Sequence, residues 1–277
     1  MKKPIDGGTV LVTGASSGIG REVARQIAPR AKALILVARR QAQLDDLAAE
    51  LRAANPKLDV GVFAVDVTDR DALARMADDV DARFGGVDVL VNNAGVGDFG
   101  CFDLAAWEKM EFMIELNVRA LAFLTHRFVR GMVARRRGAI LNISSSYGLT
   151  FNPGFAGYIG TKYFVTGFSE ALGLDLAGTG VTVTQACPGP VESEFLDHVN
   201  NFTSLKPPGF VTISAARCAR TAIRAVDCRR AMVTRGWIVW ALMRIASWTP
   251  NVVLRLAYYP LGRMLRTAQT KALVKRA

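Results

Sequence analysis

At 277 residues, with 51% hydrophobic and 21% charged residues, the chain is long enough for one well-buried α/β domain and is not an extended disordered polymer. Its formal net charge of +11 is unevenly placed: fourteen Lys or Arg and one acid, Asp227, lie from Lys206 onward, while residues 1–205 are close to neutral. That distribution argues against a nucleic-acid-binding core and marks the C-terminal quarter as specialised.

The N-terminus passes from Met1 into the strand-like run Thr9–Thr13 without an apolar leader, so secretion is not expected and a cytoplasmic protein is. Strand candidates follow at Ala33–Ala38, Leu58–Val65, Val87–Asn92, Ala139–Ile143 and Val181–Ala186, with a seventh at Arg230–Thr234. Their nearly continuous apolar character is that of parallel strands covered on both faces. Helical stretches lie between them, near residues 19–30, 41–54, 69–84, 104–132, 157–178 and 214–226. This alternation predicts an α/β fold, a doubly wound parallel β-sheet of about seven strands with helices on both faces. Residues 1–235 are expected to form one Rossmann-type domain, with a substrate loop at about 190–213, and residues 236–277 a basic amphipathic helical extension. Four cysteines without a CxxC pair and two isolated histidines, His126 and His198, give no metal-ligand cluster.

After the first strand, Gly14, Ser16, Ser17, Gly18, Ile19 and Gly20 form a glycine-rich turn that opens a helix, the arrangement that brings backbone close to a pyrophosphate at a helix N-terminus. The second strand ends in Ala38-Arg39-Arg40. No acid stands there to bond a ribose diol, and guanidinium groups pair well with a 2′-phosphate, so NADP(H) is expected in preference to NAD(H). Tyr158 and Lys162 are four residues apart on one helix face, where an ammonium group would lower the tyrosine pKa toward a useful range.

In order and spacing, these motifs resemble the short-chain dehydrogenase/reductase family. The resemblance runs from Thr13 to about Phe195 and includes Asp66-Val67, Asn92-Asn93-Ala94-Gly95, Asn117-Val118, Ser145 thirteen residues before Tyr158, and Cys187-Pro188-Gly189-Pro190-Val191. It implies hydride transfer between a nicotinamide and a carbonyl or alcohol, with Tyr158 as proton donor, Ser145 polarising the substrate oxygen, Lys162 on the nicotinamide ribose and Asn117 anchoring a relay water. Ser144 and Ser146 are rivals that the family spacing sets aside, and Tyr163 is a poor rival to Tyr158 because Gly167 stands four residues on. The resemblance further implies that Asp66 and Val67 meet the adenine, and that Asn93, Ala94 and Gly95 run beside the adenosine. Val191 and Ser193 then bracket the carboxamide, and Pro188 and Gly189 also belong to the cofactor site. Asp98, Glu192 and Glu194 lie near the expected cleft without a catalytic role.

Phe99, Phe102, Phe151, Phe155 and Phe195, with further apolar residues of the loop, suit a hydrophobic ketone, alcohol or 3-oxoacyl substrate. The family habit implies a homodimer or homotetramer through the helices around 104–132 and 157–178. In the extension, Val252, Val253, Leu256, Leu261, Met264, Leu265 and Ala268 recur at helical spacing among Arg255, Arg263, Arg266 and Lys271. Two readings follow: a stripe packed on the body, over the cleft or between subunits, or a helix on a membrane surface. Alternatives to the enzyme are an NADP-binding sensor or scaffold that has lost its chemistry, and a membrane-surface lipid-binding protein on the same fold.

Overall fold

Strands this rich in β-branched and aliphatic residues have no polar face to show to water, and every residue of Thr9–Thr13 (β1), Ala33–Ala38 (β2) and Gly138–Ile143 (β5) is buried. The computed structural model describes residues 3–192, 194–195, 209, 211–234, 241, 245–246 and 248–274. Together with Asp59–Ala64 (β3), Val89–Asn92 (β4), Val181–Ala186 (β6) and Met232–Val233 (β9), these strands form one parallel sheet in the order β3-β2-β1-β4-β5-β6-β9. A separate two-stranded ribbon pairs Val191–Glu192 (β7) with Ile213–Ser214 (β8).

Alternate residues of each strand enter different cores. Val10, Val12, Leu34 and Leu36 pack under the helices Gly18–Ile27 (α1), Gln41–Ala54 (α2) and Ala215–Asp227 (α7). Leu11, Ile35, Leu90 and Ile140 meet Arg70–Phe84 (α3), Leu121–Ala134 (α5) and the end of Ala156–Asp175 (α6) on the other face. Burying each such side chain contributes ~1.5–3 kcal/mol. Local signals set the helix ends: Asp69 accepts a hydrogen bond from the Ala72 N–H to start α3, and Gly85, at φ 71°, ends it in the left-handed region.

The order reverses between β1, which continues to β2, and β4, which continues to β5, so a crevice opens at the carboxyl ends of β1 and β4. A buried polar chain fixes those ends. Asn92, last in β4, donates to Asn142 Oδ1 at 2.9 Å and Thr125 Oγ1 at 3.0 Å, and Asn142 donates to Ser169 Oγ at 2.9 Å. The stretch expected as one helix over 104–132 is Trp107–Ile114 (α4), a π-helical segment Glu115–Ala120, and α5. A last helix, Asn251–Val274 (α8), crosses the loops beside the crevice.

Candidate active site

At the turn after β1, Gly14 and Gly18 take φ of 66° and 54°. A Cβ on Gly20 would collide with the Gly14 carbonyl, so close packing of α1 on the turn requires glycine there. Ser17 occupies the N-cap position without a side-chain capping bond, leaving first-turn N–H groups of α1 directed at an anion. Asn93, expected beside the adenosine, spends its side-chain amide on the carbonyls of Thr13 (2.9 Å) and Gly14 (3.3 Å). Thr13 Oγ1 in turn accepts from the N–H groups of Asn93 and Ala94 at 3.0 Å each. Asn93 therefore shapes the turn.

The two arginines after β2 part company. Arg40 donates to Ser16 Oγ at 3.1 Å and pairs with Glu194 at 2.8 Å, linking the turn to the start of the substrate loop. Arg39 lies 3.8 Å from the Asp66 carboxylate and over the Phe112 ring at 5.6 Å. Asp66 itself accepts from the N–H and hydroxyl of Thr68 at 3.0 and 2.8 Å. These groups at the ends of β1, β2 and β3 fit a dinucleotide: open helix-terminal donors for the pyrophosphate, cations at the adenosine end and a carboxylate beyond.

Deeper in the crevice, Asn117, Ser145, Tyr158 and Lys162 are all buried. Asn117 sits in the π-helical segment; its Oδ1 accepts from the Val96 N–H and its Nδ2 donates to the Val96 carbonyl and to Thr161 Oγ1. Thr161, which sequence spacing did not single out, passes the link on by donating to the Tyr158 carbonyl at 2.8 Å. Lys162 Nζ donates to the Ile143 carbonyl at 2.9 Å and lies 5.7 Å from the Tyr158 ring centroid. Among the three serines, Ser144 turns its hydroxyl to Lys162 O and Thr166 on α6, and Ser145 is the one whose hydroxyl lowers the pKa of the Tyr158 phenol. Ser145 also accepts from the Tyr147 N–H and thereby caps the short turn Ser146–Gly148. Tyr163 is largely exposed, away from this cluster.

The chain's own groups alone do not lower the Tyr158 pKa. Burial pushes the phenol up to about 12, with only the Ser145 hydrogen bond opposing it. Burial likewise drives Lys162 down to about 8, and its ammonium lies 5.7 Å from the ring centroid. At neutral pH Tyr158 is therefore fully protonated, the form a proton donor needs.

Aromatic rings enclose Tyr158. Tyr147, Phe155 and Phe195 have centroids 6.2, 6.3 and 5.8 Å from it, and Phe99 packs on Phe155 at 4.7 Å. Gly97 leaves room for two of them, since a Cβ there would come within 2.9 Å of Phe195 and 3.3 Å of Tyr158. A small pocket is lined by Tyr158 together with Gly157, Gly154, Gly100 and Phe102. Pro188 accepts from the Ser146 N–H and Val191 is held in the β7–β8 ribbon, so the 188–191 stretch borders the same crevice. Ser193 and most of the expected substrate loop (Leu196–Pro208 and Phe210) lie outside the described residues, as does His198.

The extension corrects a second expectation. The inward stripe of α8 is Leu254, Tyr258, Gly262, Leu265, Gln269 and Ala272, whereas Val252, Val253, Leu256, Leu261 and Met264 are exposed. Of the apolar residues read as a packing stripe, Leu265 faces the body and Ala268 does not. The inward contacts are Tyr258 against Phe151 (6.1 Å), Arg266 bidentate to Asp103, and Gln269, which accepts from the Cys101 N–H at 2.7 Å. The run Trp237–Met243 lies outside the described residues, Ala241 apart.

Comparison with known proteins agrees with this architecture. The short chain dehydrogenase family pattern matches residues 8–203. An uncharacterised oxidoreductase of Myxococcus xanthus is 40% identical over 194 residues, 70% of this chain and 76% of that protein. A 3-oxoacyl-(acyl-carrier-protein) reductase of Staphylococcus aureus is 31% identical over 210 residues, 76% of this chain and 84% of the relative. Among solved structures, a short-chain dehydrogenase from Sphingobium yanoikuyae in complex with NADPH superposes with a TM-score of 0.77 at 32% identity, covering 86% of this chain and 91% of that one. The parallel sheet, the glycine-rich turn and the matched stretch together place this chain in the short-chain dehydrogenase/reductase family of NAD(P)-dependent oxidoreductases.

Proposed function

We propose that the protein is an NADPH-dependent carbonyl reductase, reversible as an alcohol dehydrogenase, acting on a hydrophobic ketone or 3-oxoacyl-like substrate. The observation that carries this reading is the burial of Ser145, Tyr158 and Lys162 together, with the rings of Tyr147, Phe155 and Phe195 around Tyr158. In this reading residues 1–235 are the catalytic body and 236–277 a helical extension.

The bound dinucleotide supplies the hydride. The chain's own part is to hold the substrate carbonyl against Ser145 and Tyr158 and to deliver a proton. The Ser145 hydroxyl donates a hydrogen bond to the carbonyl oxygen and polarises it, and the Tyr158 hydroxyl gives that oxygen its proton as the alkoxide forms. Lys162, held by the Ile143 carbonyl, keeps its remaining ammonium hydrogens for the nicotinamide ribose and for re-protonating the tyrosine. The Asn117 side chain is committed to Val96 and Thr161, so a relay water is held by its main-chain carbonyl, loosened by the π-helical turn. Arg40 beside Ser16 favours the 2′-phosphate, supporting NADP(H) over NAD(H). The acyl-carrier-protein reductase among the relatives and the rings around Tyr158 both support an apolar substrate. Exposed Trp107, Tyr163 and Phe164 on α4 and α6 support a homodimer or homotetramer through these helices.

Tyr158→Phe removes only the hydroxyl. Turnover of a ladder of ketones and 3-oxoacyl thioesters should fall ~10²–10⁴-fold, with the NADPH dissociation constant unchanged. Full activity in the variant rules out the proton-donor assignment. NADPH binding without turnover by the wild type points to a sensor or scaffold instead.

A further inference from the structure

We infer that the outward face of α8, with the residues just before it, docks on an anionic phospholipid bilayer and seats the substrate pocket at the lipid interface. The substrate class here rests on the reductase reading; the docking does not.

The first observation is exposure. Trp248, Leu256, Tyr259 and Met264 are 81, 72, 69 and 68% exposed, and Ile245 and Val252 accompany them. Val252, Leu256 and Tyr259 recur at helical spacing opposite the inward stripe of Leu254, Tyr258, Leu265 and Gln269. This is a contiguous apolar and aromatic surface on a helix whose other side is already satisfied by the body.

Charge selects the occupant. Ten basic residues and no acid follow Asp227, and Arg255 and Arg263 lie along the exposed apolar row itself. Two copies apposed through this face would bring their cations together, whereas acidic headgroups neutralise them. Tryptophan and tyrosine beside arginine on a half-apolar helix match the lipid–water boundary. None of the described helices is long and apolar enough to cross a membrane, so the helix lies on the surface.

The position of α8 gives this surface a use. Its inward face backs the pocket: a Cβ on Gly100 would come within 2.8 Å of Gln269, and one on Gly154, at φ 90°, within 2.7 Å of Leu265. Gly100 and Gly154 also line the pocket that ends at Tyr158. One helix diameter, about 10 Å, then separates bilayer from pocket wall.

The test uses the full-length protein with vesicles of phosphatidylcholine alone or mixed with phosphatidylglycerol. The wild type should co-sediment with the mixed vesicles at low salt, and less with neutral vesicles or at high salt. Leu256→Glu combined with Tyr259→Glu should weaken that partitioning at least about tenfold. Turnover of a small water-soluble ketone and the mass by sedimentation velocity should not change. Wild-type protein that stays in the supernatant overturns the proposal. So does a double variant that still binds vesicles but loses oligomer mass, which assigns the face to a second copy. Vesicle binding that the variant loses, in a protein with no carbonyl turnover, upholds the docking and defeats the reductase reading alone.

Discussion

Asn117 holds both polar groups of the Val96 peptide, accepting from its N–H at 3.0 Å and donating to its carbonyl at 2.8 Å. The pair ties the π-helical segment to the loop that leaves β4, and a third bond to Thr161 carries the connection into α6 beneath Tyr158. One asparagine thus sets the spacing between the nucleotide loop and the proton donor. Replacing Asn117 with Ala leaves the Val96 peptide without its partner. Stability to urea should fall by about 2 kcal/mol, and kcat should fall more than KM rises, because the substrate pocket is untouched.

On the proposed mechanism, Lys162 and Tyr158 set the pH profile of reduction. Lys162 is driven down to about 8 by burial, while Tyr158 remains protonated up to about 12. A plot of kcat/KM for carbonyl reduction should be flat from pH 6 to near 8 and decline above, as the lysine loses the proton that re-protonates the tyrosine. A profile that stays level through pH 10 would remove Lys162 from the relay.

Arg40 and Arg39 are separable. Arg40 touches the glycine-rich turn through Ser16, and Arg39 lies beside Asp66 and Phe112. Arg40→Ala should weaken NADPH by ~10–100-fold and NADH by much less, with Arg39→Ala the milder of the two, measured by fluorescence titration of each dinucleotide. Equal losses for both cofactors would mean that neither arginine reads the 2′-phosphate.

Cys218, buried in α7, has its thiol pushed up to about 12 by desolvation. Its folded pKa lies above the unfolded value near 9, so the native state keeps the proton longer. The associated stability is complete below pH 9 and is lost as pH climbs toward 12. Urea midpoints should fall across that window, by up to about 1.4 kcal/mol per pH unit for this one group. Cys218→Ala should flatten the decline.

Much of the fold is legible because buried parallel strands leave an unmistakable trace: β1, β2 and β6 lie where their apolar runs end. The two-residue strands β7 and β8 leave no period to detect. Neither does the π-helical segment, whose single widened turn changes no residue type while deciding where Asn117 points. The burial of Asn117, Ser145, Tyr158 and Lys162 around one crevice was foreshadowed by their order and spacing, and Ser144 was separable from Ser145 by family spacing before geometry showed it turned toward Thr166. The task of Asn93 was not legible, since a side chain that braces a turn and one that meets a ligand look alike in sequence. The extension misled for a related reason. Helical spacing shows that an apolar stripe exists but not which way it faces, and here Gln269 and Leu265 took the inward side, against two loop glycines.

That inward side divides labour along the chain. The glycine-rich turn and the cluster of Asn117, Ser145, Tyr158 and Lys162 fall within the stretch that matches the family, residues 8–203, while Leu265 and Gln269, which meet the pocket-lining Gly154 and Gly100, come from beyond it. Exchange of the terminal helix alone would reshape what the pocket admits without disturbing a single group that moves a proton. On the proposed reading, selectivity is then free to drift under mutation of that helix while the residues beneath the sheet crevice stay fixed.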